Sequence, residues 1–235
     1  MGKFAHRSYQ KEIMDDLEVG GEVLEQTLRE LKTINLLLGG NKVTTSGLGK
    51  LIANSSRKEL TIADIGCGGG DMIEVMGKWA RRAGIKAQFL GIDANPNIVN
   101  RAIEKLSGHA NVAFKVQNVF DPAFAKQPVD IVTCTLFTHH FTQDELVQLL
   151  VSFREKAKLG IVINDLHRHP LAYHSISLLT KLFSKSPMVK HDGPLSVLRA
   201  FHRKEWEELL QKSGFQKFEI RWKWAFRWQV VAWIA

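Results

Sequence analysis

Residues 60–71 read LTIADIGCGGGD, and the rest of the chain is organised around them. Leu60 to Ile65 is a short apolar run broken by one Thr and one Asp, the pattern of a strand covered on both faces. The run stops at Gly66, and four of the five residues from 66 to 70 are glycine. Behind them Met72, Ile73, Val75, Met76 and Trp79 mark one apolar helix face. Strand, glycine turn and helix together make a cradle for a ligand. Glycine lets the chain reverse with no Cβ to hold a ligand away. The start of the helix adds free N–H groups.

The dinucleotide fingerprint G-x-G-x-x-G is not met, because Gly66 and Gly68 are followed by Asp71 where the third glycine belongs. A carboxylate there would repel a pyrophosphate. A P-loop is excluded too, since no Gly-Lys-Ser/Thr follows. What remains is D-x-G-x-G-x-G from Asp64 to Gly70, with a second acid at Asp71. Acids around a glycine turn suit a ligand with cationic groups and no phosphates. S-adenosylmethionine carries an ammonium and a sulfonium, and the stretch resembles the first motif of class I S-adenosylmethionine-dependent methyltransferases. The resemblance runs over about residues 60–235 and is specific for the cofactor rather than for the acceptor.

The order of elements agrees. Residues 87–92 read as a second strand ending at Asp93, 23 residues beyond Gly70. That is close to the offset at which a ribose-binding acid follows a glycine turn. The segment GIDANP, with Ala94 and Asn95, is also similar to the family's second motif, while Asn95 before Pro96 suits a helix cap. After a third strand at 112–116 come Asn118-Val119, where the family usually has Asp followed by Ala or Val against the adenine. An Asn oxygen can still accept from the adenine amino group. The cofactor set implied by the resemblance is Asp64, Gly66, Cys67, Gly68, Gly70, Asp71, Asp93, Ala94, Asn95, Asn118, Val119 and Thr135.

A fourth strand, 129–135, leads into Leu136-Phe137-Thr138-His139-His140, similar to the S/T-x-x-x-H-H of many small-molecule methyltransferases. Ligands of parallel sheets lie at the carboxyl ends of strands, so Thr135 and both histidines should face the reaction centre. A fifth strand, 159–164, ends in Asp165-Leu166-His167-Arg168-His169-Pro170. The expected base is His139 or His140, with His167 third and Asp165 as an orienting group. His169, His191 and Arg199 are expected substrate contacts, with Asp192 beside them.

The fold expected is α/β, a Rossmann-like seven-stranded methyltransferase sheet with an N-terminal helical cap at 1–55 and the cofactor domain at 56–235. A helical lid is inserted after the fifth strand, at 166–202, with residues 184–194 as its loop. In the cap, residues 8–20 hold a short helical segment and 22–38 an amphipathic helix stopped at Gly39-Gly40-Asn41, where Gly39 and Asn41 are further cofactor candidates. Residues 43–51 are rich in Thr, Ser and Gly. The chain closes on two strands, whose Trp222, Trp224, Trp228 and Trp233 are read as filling a sheet face.

A chain of 235 residues suits one α/β domain with an appendage. No apolar stretch reaches membrane-spanning length, and the start of the chain has neither a signal core nor a myristoylation pattern. The expectation is a cytoplasmic protein. Cys67 and Cys134 are read as buried thiols, and no metal-ligand spacing is seen. The net charge of +8 raises nucleic acid as a partner, but the basic residues are scattered and the chain lacks the Asn/Asp-Pro-Pro-Tyr/Phe element of amino-methylating enzymes. The resemblance implies O-methylation of a phenolic or enolic small molecule, of the quinone-biosynthesis or polyketide-tailoring type, by a monomer or homodimer. S-adenosyl-L-homocysteine would be the product. Carbon methylation of a quinone precursor and RNA methylation are the alternatives.

Overall fold

A computed structural model describes residues 2–53, 55, 57–124 and 126–234. The apolar runs pair into one sheet: β1 (Glu59–Ile65), β2 (Lys86–Asp93), β3 (Val112–Val116), β4 (Val129–Thr135), β5 (Ala157–Leu166), β6 (Lys217–Lys223) and β7 (Arg227–Trp233). Among the described residues their order is β3-β2-β1-β4-β5-β7-β6. The first five strands run parallel, and β7 inserts antiparallel between β5 and β6. This is the seven-stranded methyltransferase sheet expected from the sequence.

The alternation of side chains assigns the two faces. Ala63, Ile65, Val132 and Ile163 point to a layer holding α5 (Gln143–Lys156) and α8 (Arg203–Lys212), through Leu149, Phe153, Trp206 and Leu210. Ile62, Ile131, Val162 and Val231 point the other way, onto α3 (Asp71–Arg82) and α2 (Gly40–Leu51), through Met76, Ile73, Leu48 and Leu51. Thr142 caps α5 in a reciprocal box with Glu145, a device worth about 1 kcal/mol.

The stretch 43–51 is therefore helical and packs against the sheet. Its glycines and β-branched residues are poor helix formers, but they are small enough for close packing. A Cβ on Gly47 would stand 2.6 Å from Val162 Cγ1, so glycine lets α2 lie against β5. The helix before it, α1 (Gly21–Leu37), is joined to α2 through Gly39 in the left-handed region. The insert after β5 is a pair of helices, α6 (Pro170–Phe183) and α7 (Pro187–Arg199). The loop expected at 184–194 is mostly helix. Ser186 accepts from Val189 N and Pro187 occupies the first turn, a strong start signal that outweighs Gly193-Pro194 further on. The apolar residues Leu178 and Leu182 of α6 stay exposed.

The expected helix at 8–20 is reduced to one 3₁₀ turn, Ile13–Asp15. The segment is a strap instead, held by buried arginines. Arg7 donates to the carbonyls of Arg199, His139 and Phe141. Arg168 reaches Phe4 O and pairs with Glu205. Of the tryptophans, Trp228 is buried and donates to Phe201 O, whereas Trp222 on the edge strand and Trp224 in the hairpin turn are 46% and 67% exposed.

Candidate functional site

The chain leaves β1, winds outward through β2 and β3, then crosses to β4 on the other side. Ligands of such sheets bind at that switch point, above the strand ends. The glycine turn lies beside it. Gly66, Gly68 and Gly70 have φ of +65°, +52° and +75°, values that favour glycine. The turn is pinned by Gly66 N and Cys67 N donating to Ile92 O at 2.8 and 3.1 Å. A Cβ on Gly66 would enter the Phe137 ring, whereas at Gly68 nothing lies within 4 Å. The free space is over Gly68.

Asp93 stands at the end of β2 beside that space. Its carboxylate accepts from Gly68 N and Asn95 N, both at 3.1 Å, which leaves further lone pairs on each oxygen. Burial raises its pKa, and the backbone donors oppose the rise. Asp64 lies beneath the turn, 2% exposed, and accepts from the Thr133 hydroxyl at 2.8 Å. Burial pushes its carboxyl up to about 7, and the charge of Asp93 adds to that. Cys67 is a buried thiol, and burial raises it well above its ordinary value. Ala94 lies partly covered in the bend after Asp93.

Several expected contacts are spent elsewhere. Asp71 pairs with Lys32 and Lys105, so its carboxylate belongs to a surface charge cluster. Asn95 is the α4 cap (Pro96–Leu106), accepting from Asn97 N and Ile98 N and donating to Val19 O. Asn118 is exposed and folds its oxygen onto Phe120 N, while Val119 is buried. The Thr135 hydroxyl meets that of Thr44 at 2.9 Å. Asn41 bonds Asn35.

Beyond the strand ends lies a cavity of about 380 Å³ enclosed by α1, α6, α7 and the β6–β7 turn. Leu31, Ile34, Ile176, Met188 and Val197 make much of its wall. His139 and His140, on a 3₁₀ turn after β4, are its polar end. Leu136, at φ +54°, turns the chain out of β4 to place them. His139 is 3% exposed, and its Nδ1 meets Asp165 Oδ1 at 2.7 Å. The other Asp165 oxygen accepts from His139 N and the Thr138 hydroxyl. Burial alone would raise the Asp165 carboxyl, but the His139 charge and these hydrogen bonds hold it well below the carboxylate range. With Nδ1 turned to a carboxylate, Nε2 is the nitrogen left free. It is 3.7 Å from Glu12 Oε1. His140 Nδ1 is held likewise, by Asp15 at 2.5 Å.

Glu12 and Asp15 come from the strap and were not singled out by the sequence. Glu12 is 6% exposed, and burial pushes its carboxyl up to about 7 against the pull of His140 and Arg199. Arg199 is not a free substrate contact. Its guanidinium pairs with Asp15 at 2.6 Å and donates to the carbonyls of Gln10, His139 and His140. Asp192 accepts from Ile13 N and Met14 N, and its neighbour His191 turns to it from the surface. His169 caps α6 through Leu171 N and stacks on Phe226, outside the cavity wall. His167 also lies outside that wall. Burial, with His169, His202 and Arg168 nearby, lowers it to about 4.

A model of a methyltransferase domain matches residues 62–160. The ubiquinone biosynthesis O-methyltransferase of Xanthomonas euvesicatoria pv. vesicatoria (strain 85-10) is 31% identical over 125 residues, 51% of this chain and 49% of that protein. The chain thus spans about half the length of the curated relatives it matches. Among solved structures, the plantazolicin methyltransferase BpumL in complex with SAH superposes with a TM-score of 0.68 at 15% identity, over 88% of this chain and 89% of that one. A SAM-dependent methyltransferase from Aquifex aeolicus gives 0.61 at 18% identity, over 89% and 97%. Among the described residues no helix is long and apolar enough to cross a membrane. The methyltransferase-domain match at 62–160 and the sheet order together give the chain the Rossmann-like methyltransferase fold.

Proposed function

We propose that this chain methylates a phenolic or enolic hydroxyl of a small, largely apolar molecule, with S-adenosylmethionine as donor and S-adenosyl-L-homocysteine as product. The observation that carries this reading is the buried His139–Asp165 pair, set in the wall of an apolar cavity at the ends of β4 and β5.

The cradle fits the donor. The space over Gly68 admits a ligand against the backbone, and the lone pairs left on Asp93 suit two ribose hydroxyls. The N-terminus of α3 and the glycine turn would hold the amino-acid end. When bound, the cofactor supplies an electrophilic methyl group on a sulfonium. The chain's own residues exclude water, through the strap and the helices of the insert, and orient the acceptor. His139 Nε2 takes the acceptor proton, and the Asp165 carboxylate stabilises the imidazolium formed and fixes the tautomer.

The apolar enclosure supports a small acceptor over an RNA strand. The name of the Xanthomonas relative makes hydroxylated aromatic rings with apolar substituents the first class to assay. Transfer of a labelled methyl group to such a phenol is the test, and locating the methyl on the product separates oxygen from carbon methylation. General base catalysis is worth about 10²–10⁴-fold. His139→Gln and Asp165→Asn should each lower kcat toward that range with KM little changed. Unaltered turnover in a His139→Ala, His140→Ala double variant would remove the histidine base.

A further inference from the structure

We infer that Glu12, His139 and His140 form a binding site for one divalent transition-metal ion, of the zinc and iron(II) class, at the polar end of the cavity. Among the described residues these three each offer a ligand atom, all within 4.8 Å of one another. Two imidazoles and one carboxylate are the donor set of open, three-ligand sites for such ions.

Two observations separate this cluster from a chance grouping of polar residues. Each histidine has its Nδ1 on a carboxylate, His139 on Asp165 at 2.7 Å and His140 on Asp15 at 2.5 Å. That partner fixes the tautomer and aims Nε2, as the outer carboxylates of metal-bound histidines do. The second is Glu12 Oε1, a buried carboxylate oxygen with no hydrogen-bond partner. Leaving such an atom unpaired costs more than leaving a neutral one. Its nearest cationic groups are His139 Nε2 at 3.7 Å and Arg199 Nε at 3.6 Å, both beyond hydrogen-bond length.

Around one tetrahedral ion, ligand atoms at about 2.1 Å from the metal lie about 3.4 Å apart. The His139–Glu12 separation of 3.7 Å is already close to this. The widest pair must close by at most about 1.4 Å, within reach of a small turn of the half-buried His140 ring. All three residues line the cavity, so an acceptor oxygen there could reach an ion they held. Coordination lowers the pKa of a bound oxygen acid. An ion here takes the Nε2 lone pair of His139, so the loaded and metal-free chains deprotonate an acceptor by different groups. Ion binding itself does not depend on methyl transfer.

The test is titration of the chelator-stripped full chain with Zn²⁺ by calorimetry, and with Co²⁺ by visible absorption. The expected result is one ion per chain with cobalt bands of low coordination number. Glu12→Gln and His140→Gln should each weaken the affinity by more than about 10-fold, and Asp15→Asn by about 10–100-fold as an orienting group. His109→Gln, on the surface, should leave it unchanged. Binding that survives both Glu12→Gln and His140→Gln, or cobalt spectra showing only hexa-aquo-like ions, would overturn the site. So would an absence of binding by the folded wild-type chain. Because the readout is the ion alone, a chain that transfers no methyl group would leave the result intact.

Discussion

Asp93 and Asp71 flank the same glycine turn, and the structure assigns them opposite fates. Asp93 keeps acceptor capacity beside the open space over Gly68, while Asp71 is tied to Lys32 and Lys105. Asp93→Asn therefore removes the charged acceptor proposed for two ribose hydroxyls, while an oxygen remains for Asn95 N. A hydrogen bond to a charged group is worth about 1.5–3 kcal/mol net. Loss of the charge should thus weaken S-adenosyl-L-homocysteine binding by roughly 10–150-fold. The same substitution turns an amide toward Gly68 N–H, so about 1 kcal/mol of stability goes with it. Asp71→Asn breaks only exposed ion pairs, worth about 0–1 kcal/mol, and should shift the affinity less than about fivefold. Titration calorimetry at matched ionic strength reads both, with circular dichroism to verify folding. Equal losses in the two variants would refute the assignment. So would a folded Asp93→Asn protein of wild-type affinity, or a wild-type chain that takes up NAD and not the methyl donor.

Two further contrasts test the cradle and its underside. Gly66→Ala forces a Cβ into Phe137 at 2.2 Å in a left-handed backbone, and should cost about 2–4 kcal/mol in denaturant melts. Gly68→Ala meets nothing within 4 Å, so it should cost only about 1 kcal/mol of stability while losing far more in cofactor affinity. Equal effects on both properties would refute the idea that the ligand space lies over Gly68. Asp64 has a folded pKa near 7, above the ordinary carboxylate value. Between about pH 4 and 7 the folded chain then holds a proton that the unfolded chain has released. Stability should fall as pH rises through that window, by at most about 4 kcal/mol from this group. Asp64→Asn should flatten the slope between about pH 4 and 7, and an unchanged slope would show that Asp64 is ionised when folded.

The sheet was legible because its signal is local and periodic. Leu60 to Ile65 and Val129 to Thr135 alternate between two covered faces, and Gly66 marks where the first run ends. Asn95 before Pro96 likewise carried its cap in four consecutive letters. The helices were read less well wherever tertiary packing overruled composition. Gly47 lowers the helix propensity of α2 but brings it against Val162, and that gain needs β5 to be in place. In α7 the signal was present at Ser186-Pro187, but Gly193-Pro194 read as a break.

The polar site was legible in part, for a reason of chain distance. His139, His140 and Asp165 lie at strand ends, where a parallel sheet collects its ligands whatever the side chains. Their partners Glu12 and Asp15 come from more than 120 positions away, and nothing in QKEIMDD announces that it crosses the strand ends. What carries it there is Arg199, read from sequence as a substrate contact. A guanidinium offers five donors, and here three neighbouring carbonyls and Asp15 take four of them before any ligand can. A buried arginine near a crevice is thus ambiguous until its donors are accounted for. The same accounting moves His169 to a helix cap, Asn95 to another, and leaves Glu12 Oε1 as a buried carboxylate oxygen without a partner.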